Sequence, residues 1–223
     1  MIQHRRKPMD SPYEHAYHGT RFGFDERREV LWKTLCDAYF SPLIRPDSTV
    51  LELGAGYCHF INNVQAARKL AVDLWPGFPQ YARPDVRTLV SSVNDLGQIE
   101  DHSVDFTFAS NVFEHLSQAQ LAETLAEVRR VSRPGGVLAL LQPNYRLAYR
   151  EYFDDYTHIS VFSDISICDF LQANKYRVID RKPGFLPLTV KSRLPVFPAL
   201  IRAYLLSPIK PLAKQMLIRA VPA

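Results

Sequence analysis

Residues 49–56, Thr49-Val50-Leu51-Glu52-Leu53-Gly54-Ala55-Gly56, decide the fold. A short apolar run with strand character ends in a Gly-x-Gly turn, and a helix is expected to open directly after it, over about 57–67. Glycine at such a junction adopts torsions that other residues avoid and lets a ligand approach the backbone closely. Downstream, Lys69–Asp73 reads as a second strand, Arg87–Val90 as a third and Val104–Phe108 as a fourth. Ser117 reads as the N-cap of an amphipathic helix through Arg130, and Pro134-Gly135-Gly136 as a turn into a fifth strand, Val137–Gln142. Upstream, Val30, Leu31, Leu35 and Tyr39 share a helical spacing, which predicts a helix over 26–40 ended by Ser41-Pro42 and Arg45-Pro46-Asp47.

Strands alternating with helices imply right-handed crossovers and a parallel sheet. The end of the chain departs from that alternation. Residues 143–162 are an aromatic and charged insertion, a helix is expected at about 163–173, and a strand at 176–182. Pro183-Gly184 reads as a turn into a seventh strand, Phe185–Val190, and so short a connection requires the last two strands to run antiparallel. The expected architecture is a Rossmann-like α/β three-layer sandwich with a seven-stranded, mostly parallel sheet and one antiparallel strand. Its parts divide as an N-terminal arm and helix over the cofactor site (1–45), the core with its substrate insertion (46–192), and a basic, apolar C-terminal extension (193–223).

The chain has 223 residues, 47% of them hydrophobic and 22% charged, which suits one globular α/β domain with extensions. Its net charge of +4 is uneven: residues 180–223 hold eight Lys or Arg against a single acid, Asp180. Such a segment suits an anionic membrane surface, a phosphorylated substrate or nucleic acid, or is simply a solvated basic face. Cys36, Cys58 and Cys168 are far apart and match no zinc spacing, so they read as reduced thiols of a cytoplasmic protein. The opening MIQHRRKPMD has no apolar run behind its cations, and the most apolar stretch, Leu194–Val221, is broken by Arg202, Lys210, Lys214, Arg219 and several prolines. That stretch reads as an interfacial helix pair broken at Pro208 and Pro211, which would suit a peripheral contact at the inner face of the membrane, a lid, or plain packing.

The glycine loop alone is shared with nicotinamide and flavin enzymes. Here the third glycine of a pyrophosphate loop is missing, because Tyr57-Cys58 is followed by His59, and a cofactor without phosphates tolerates that loss better. Asp73 ends the second strand, where a carboxylate can accept hydrogen bonds from both hydroxyls of a ribose. Asn94-Asp95-Leu96 follows the third strand, with Asp95 placed for an adenine amine. Phe108-Ala109-Ser110-Asn111-Val112-Phe113-Glu114-His115-Leu116 leaves the fourth strand over the same place.

In these residues the chain resembles the class I S-adenosylmethionine-dependent methyltransferases, of the group with an E/D-x-G-x-G loop and a later E-H-L and P-G-G, across roughly residues 20–190. The resemblance implies S-adenosylmethionine as cofactor. It puts Glu52, Gly54, Ala55 and Gly56 around the methionine end, Asp73 with Leu74 at the ribose, Asn94, Asp95 and Leu96 at adenine, and Ser110 and Asn111 alongside. Against that, Glu52 reads alternatively as a cap of the glycine turn, and Asp73 and Asp95 as ordinary loop caps; Trp75 reads as lying against the ribose or adenine, or as plain packing.

The implied reaction is displacement at the sulfonium methyl, for which alignment of the reactants supplies much of the rate. A base is needed when the nucleophile keeps its proton. The candidates are His158, within Asp154-Asp155-Tyr156-Thr157-His158, and then His115; each reads alternatively as a residue that holds its own loop. Related ubiquinone-pathway methyltransferases also carry an adjacent Glu-His pair, but two adjacent residues are not a ligand set, so no metal is expected. Tyr17, Tyr145, Arg146, Tyr149, Arg150 and Tyr156 are candidate acceptor-binding residues, suited to a small or lipid-linked metabolite, anionic in part, methylated on oxygen or nitrogen. His18 lies in the same N-terminal segment as Tyr17. The competing readings are a nicotinamide-dependent oxidoreductase or epimerase and a non-catalytic member of the same fold. A nucleic-acid methyltransferase is disfavoured, because Ser110-Asn111-Val112-Phe113 stands where an N/D-P-P-Y/F-like motif would be.

Overall fold

A computed structural model of the chain describes residues 26–187 and 197–223. Strand β1 (Thr49–Leu53) is buried at every position and lies between β2 (Arg68–Asp73) and β4 (Val104–Ser110), parallel to both. With β3 (Val86–Val90), β5 (Ser132–Pro143), β6 (Tyr176–Pro187) and β7 (Ala213–Pro222) it forms a seven-stranded sheet in the order β3-β2-β1-β4-β5-β7-β6. Only β7 opposes its neighbours, pairing antiparallel with β5 and β6. The sandwich with one antiparallel strand is therefore the fold of the protein.

Burial on both faces explains why the central strands read as continuous apolar runs. Alternate residues serve opposite layers. Leu51, Leu53, Leu138, Leu140, Met216 and Ile218 pack with helices α3 (Gln118–Val131) and α5 (Ser166–Ala173), through Leu121, Leu125, Val128, Ile167 and Leu171. Val50, Ala71, Phe106, Phe108, Ala139 and Leu217 face the other layer, made by α1 (Glu26–Leu35), the short α2 (His59–Asn63) and α6 (Pro198–Leu206). The remaining short helix, α4 (Tyr145–Ala148), opens the insertion. Phe60 stacks on Phe108 at 4.1 Å, with Phe40 edge-on to both and Trp32 edge-on at 5.8 Å to Phe108, so aromatic rings fill that second layer.

The end of the chain differs from the sequence expectation. Pro183-Gly184 is not a hairpin turn but lies inside β6, at a register shift between Lys182 and Leu186. A Cβ on Gly184 would stand 3.1 Å from the Ala213 Cβ and 3.4 Å from Leu147, so glycine is there for the close approach of β7. The final strand is thus Ala213–Pro222, and the core reaches far into the segment expected to be an extension. Nor do the described residues of 194–221 form a helix pair: α6 ends at Leu206, and β7 occupies most of the second half. No helix among the described residues is long and apolar enough to cross a membrane. Residues 188–190 of the expected strand, and most of the arm, lie outside the described residues.

Candidate active site

The site lies at the carboxyl ends of the strands, where ligands bind open α/β sheets. Beyond Leu53 the chain turns through Gly54 (φ +66°) and Gly56 (φ +49°). The two glycines serve different ends. A Cβ on Gly54 would stand 2.4 Å from Val112 Cγ2, so the glycine admits the chain leaving β4. A Cβ on Gly56 would meet nothing within 4 Å, which leaves open space beside the loop.

Asp73 joins the loop to β2: one carboxylate oxygen accepts the Gly56 N–H at 2.8 Å and the other the Trp75 N–H at 2.8 Å. A carboxylate at this place has the acceptor chemistry to meet a ribose diol. Glu52 is buried behind the loop and accepts the Ile61 N–H at 3.0 Å, holding the start of α2. Burial raises its carboxyl well above the usual range, and the charge of Asp73 adds to that shift. Its carboxylate thus ties the end of β1 to the first turn of α2. Beside Asp73, Tyr57 packs edge-on to Tyr81 at 4.6 Å and Trp75 stacks on Tyr81 at 5.5 Å. Tyr57 and Tyr81 were not singled out in the sequence; each stands alone in its segment without a period or motif to mark it.

After β3, Ser91 donates its N–H to the Asp73 carbonyl at 3.1 Å, so the chain leaving β3 stays beside the end of β2. Asp95 is exposed and accepts the N–H of Gly97 at 3.3 Å. Asn94 donates to Glu123, and the buried Leu96 donates its N–H to Glu127, both on α3. The Asn94–Leu96 turn is thereby anchored to α3, and Leu74 beside Asp73 is 45% exposed.

At the exit of β4, Asn111 adopts φ +53°, donates its N–H to Leu141 and accepts the Gln215 side chain at 2.9 Å. Its amide also reaches Ser110 Oγ at 3.2 Å. A 3-10 turn, Phe113–His115, then carries Glu114 inward until it is 0% exposed. No hydrogen bond from another described residue reaches either carboxylate oxygen of Glu114. Burial pushes this carboxyl up to about 8, and Asp155 adds to the effect.

The Glu114 carbonyl accepts the N–H groups of Ile159 and Ser160 at 2.9 and 3.0 Å, which sews the 143–162 insertion to this turn. His158 therefore arrives beside His115, with ring centroids 4.9 Å apart. Its Nδ1 donates to the Tyr152 carbonyl at 2.5 Å. Thr157 Oγ1 donates to Asp155 at 2.6 Å, so it accepts from His115 Nδ1 at 2.9 Å. Burial lowers the His115 pKa, and His158 lowers it further, so the ring is neutral at pH 7. Ligand atoms of Glu114, His115 and His158 lie within 4.8 Å of one another. The sequence expectation of no metal weighed two adjacent residues; folding adds the third.

Tyr145 reaches this cluster through Tyr152, packing edge-on at 5.4 Å, with Tyr152 itself 4.7 Å from the His158 ring. Arg146 turns to the buried Asp164 at 3.7 Å, and Arg150 lies over the exposed Tyr149 ring at 5.6 Å. Tyr156 is 61% exposed. Tyr17 and His18 lie outside the described residues.

Residues 52–59 contain no Lys or Arg to neutralise a pyrophosphate, and the space at Gly56 with the carboxylate of Asp73 suits an uncharged adenosine. The residues thus fit S-adenosylmethionine. Residues 51–140 match the family model described as a methyltransferase domain. The chain is 18% identical to a SAM-dependent methyltransferase of Archaeoglobus fulgidus, covering 94% of this chain and 99% of that one with a TM-score of 0.64. It is 17% identical to a SAM-dependent methyltransferase of Thermotoga maritima, covering 94% and 93%, with a TM-score of 0.61. An uncharacterized 37.1 kDa protein in transposon TN4556 of Streptomyces fradiae is 31% identical over 120 residues, which are 49% of this chain; the chain spans 34% of that protein's length. Residues 51–140 thus match a methyltransferase domain, and the sheet around them has the fold of these S-adenosylmethionine-dependent methyltransferases.

Proposed function

We propose that the protein transfers a methyl group to an oxygen or nitrogen of a small or lipid-linked metabolite held beneath the 143–162 segment. The observation that carries this reading is the convergence of two features at one end of the sheet: the Gly54–Gly56 loop tied to Asp73, and the polar cluster at the exit of β4. Asp73 would hold the ribose, Gly56 would leave room for the ligand, and the aromatic rings of Tyr57, Trp75 and Tyr81 would shield its flank. When bound, S-adenosylmethionine supplies a methyl group on a positively charged sulfur. Displacement at that methyl by the acceptor's lone pair would leave the electrons of the broken carbon–sulfur bond on sulfur. In the metal-free protein the acceptor's proton passes to the neutral imidazole of His115, within the cluster of Glu114, His115 and His158. Tyr145, Tyr149, Arg150 and Tyr156 on the insertion would meet the rest of the acceptor.

Calorimetric titration with S-adenosylmethionine and S-adenosylhomocysteine, with NAD and NADP as controls, tests the reading. Both adenosyl ligands should bind and the nicotinamides should not. A hydrogen bond to a charged group contributes about 1.5–3 kcal/mol, so Asp73→Ala should weaken binding roughly tenfold to a hundredfold. Binding of a nicotinamide cofactor instead would point to the oxidoreductase reading.

A further inference from the structure

We propose that Glu114, His115 and His158 form a binding site for one divalent transition-metal ion of the zinc class. Two imidazoles and one carboxylate are borderline ligands that suit first-row ions rather than calcium or magnesium. Three protein ligands also leave positions open for water or for an acceptor oxygen, which is the pattern of a catalytic rather than a structural site.

Three independent features support the assignment. The first is convergence: folding brings His158, on the insertion, to the adjacent Glu114 and His115, with ligand atoms of all three within 4.8 Å of one another. The second is the state of Glu114, which is fully buried with neither carboxylate oxygen hydrogen-bonded by another described residue. A proton would remove the charge but would itself need an acceptor, whereas a cation satisfies both charge and lone pairs. The third is the orientation of the rings. His158 Nδ1 is held by the Tyr152 carbonyl and His115 Nδ1 by Thr157, whose hydroxyl is in turn committed to Asp155. These bonds fix the proton on Nδ1 and the lone pair on Nε2, the arrangement by which proteins prepare histidine for a metal. The site itself rests on this geometry alone. Its use in acidifying an acceptor hydroxyl rests on the methyltransferase reading.

The test is titration of the chelator-stripped full-length protein with cobalt(II), followed by visible absorption and by competition with zinc(II). One equivalent should bind to the wild type. Glu114→Gln and His158→Ala should each weaken binding by at least about tenfold, Thr157→Val by a smaller factor, and the control His102→Ala, whose ring bonds the Ser132 carbonyl at the start of β5, not at all. Circular dichroism and thermal unfolding establish that each variant is folded. Should Glu114→Gln fail to fold, His158→Ala and Thr157→Val decide the matter. Absence of stoichiometric binding by the wild type, or wild-type affinity in the folded variants, overturns the site. Titration with S-adenosylmethionine on the same stripped protein separates the two claims. Adenosyl binding without cobalt binding removes the metal site and leaves the function; the reverse removes the function and leaves the site.

Discussion

Glu114 is a charge-bearing side chain with no exposure at the exit of β4, and its carboxyl is raised from 4.5 to about 8. Its contribution to stability has a definite sign. Between these values the folded protein holds a proton that the unfolded chain has released, so stability is highest below about 4.5 and falls as pH rises towards 8. In urea unfolding of the metal-free protein, the wild type should lose about 1 kcal/mol per pH unit over this window relative to Glu114→Gln. His115, His158 and Asp155 face the group in both proteins, so their own titration cancels to first order. Parallel pH dependences would show that Glu114 is not held protonated. The glycines make a second contrast at this scale. Gly54→Ala drives a Cβ to 2.4 Å from Val112 and should lower the unfolding temperature markedly; Gly56→Ala meets open space and should cost only about 1–2 kcal/mol for its left-handed backbone, while weakening S-adenosylmethionine binding. Equal losses of stability in both would mean that Gly56 is also packed. Asp73, Gly54 and Gly56 were legible in the sequence because a tight turn and a strand end are local. The partnership of Glu114 with His158 was not, because it exists only once the insertion folds back on the β4 exit.

Among the elements, those with a local signal were readable nearly to the residue. Strand β1 was expected at Thr49–Leu53 and is found there. Ser117 was expected to cap a helix, and it does so through a reciprocal capping box, its hydroxyl accepting the Gln120 N–H while Gln120 accepts the Ser117 N–H. Ser117→Ala should therefore cost about 1 kcal/mol, read as a small fall in unfolding temperature with adenosyl binding retained. A neutral result would mean that tertiary packing alone fixes the start of α3. The helix after the glycine loop proved shorter than expected, because Asn62 and Asn63 turn their side chains to Tyr81, Arg83 and Glu29 and Val64 is already extended. At Pro183-Gly184 the composition of a turn was present without a turn. Proline and glycine also mark a bulge where another strand comes close, and only the position of Ala213 distinguishes the two.

At the scale of the whole molecule, the uneven charge is largely an internal matter. Arg219 and Lys182 pair with Asp180, Arg181 with Asp164, and Lys214 with Glu151, so half of the cations counted from residue 180 onward face carboxylates of the body or of their own sheet. Lys210 donates to the last carbonyls of α6. These contacts draw the final segment into the sheet, where Met216, Leu217 and Ile218 are 0% exposed between β5 and β6. Burying such a side chain contributes about 1.5–3 kcal/mol. Three of them approach the whole stability of an ordinary domain, about 5–15 kcal/mol. Deleting residues 208–223 should therefore abolish cooperative unfolding, and with it adenosyl binding, because β6 would lose its strand partner among the described residues and β5 its neighbour on that side. A detachable lid or membrane-contact segment behaves differently: its removal would leave the unfolding transition and the cofactor affinity in place. The truncated chain, followed by thermal unfolding and calorimetry, separates a strand that completes the sheet from an appendage to it.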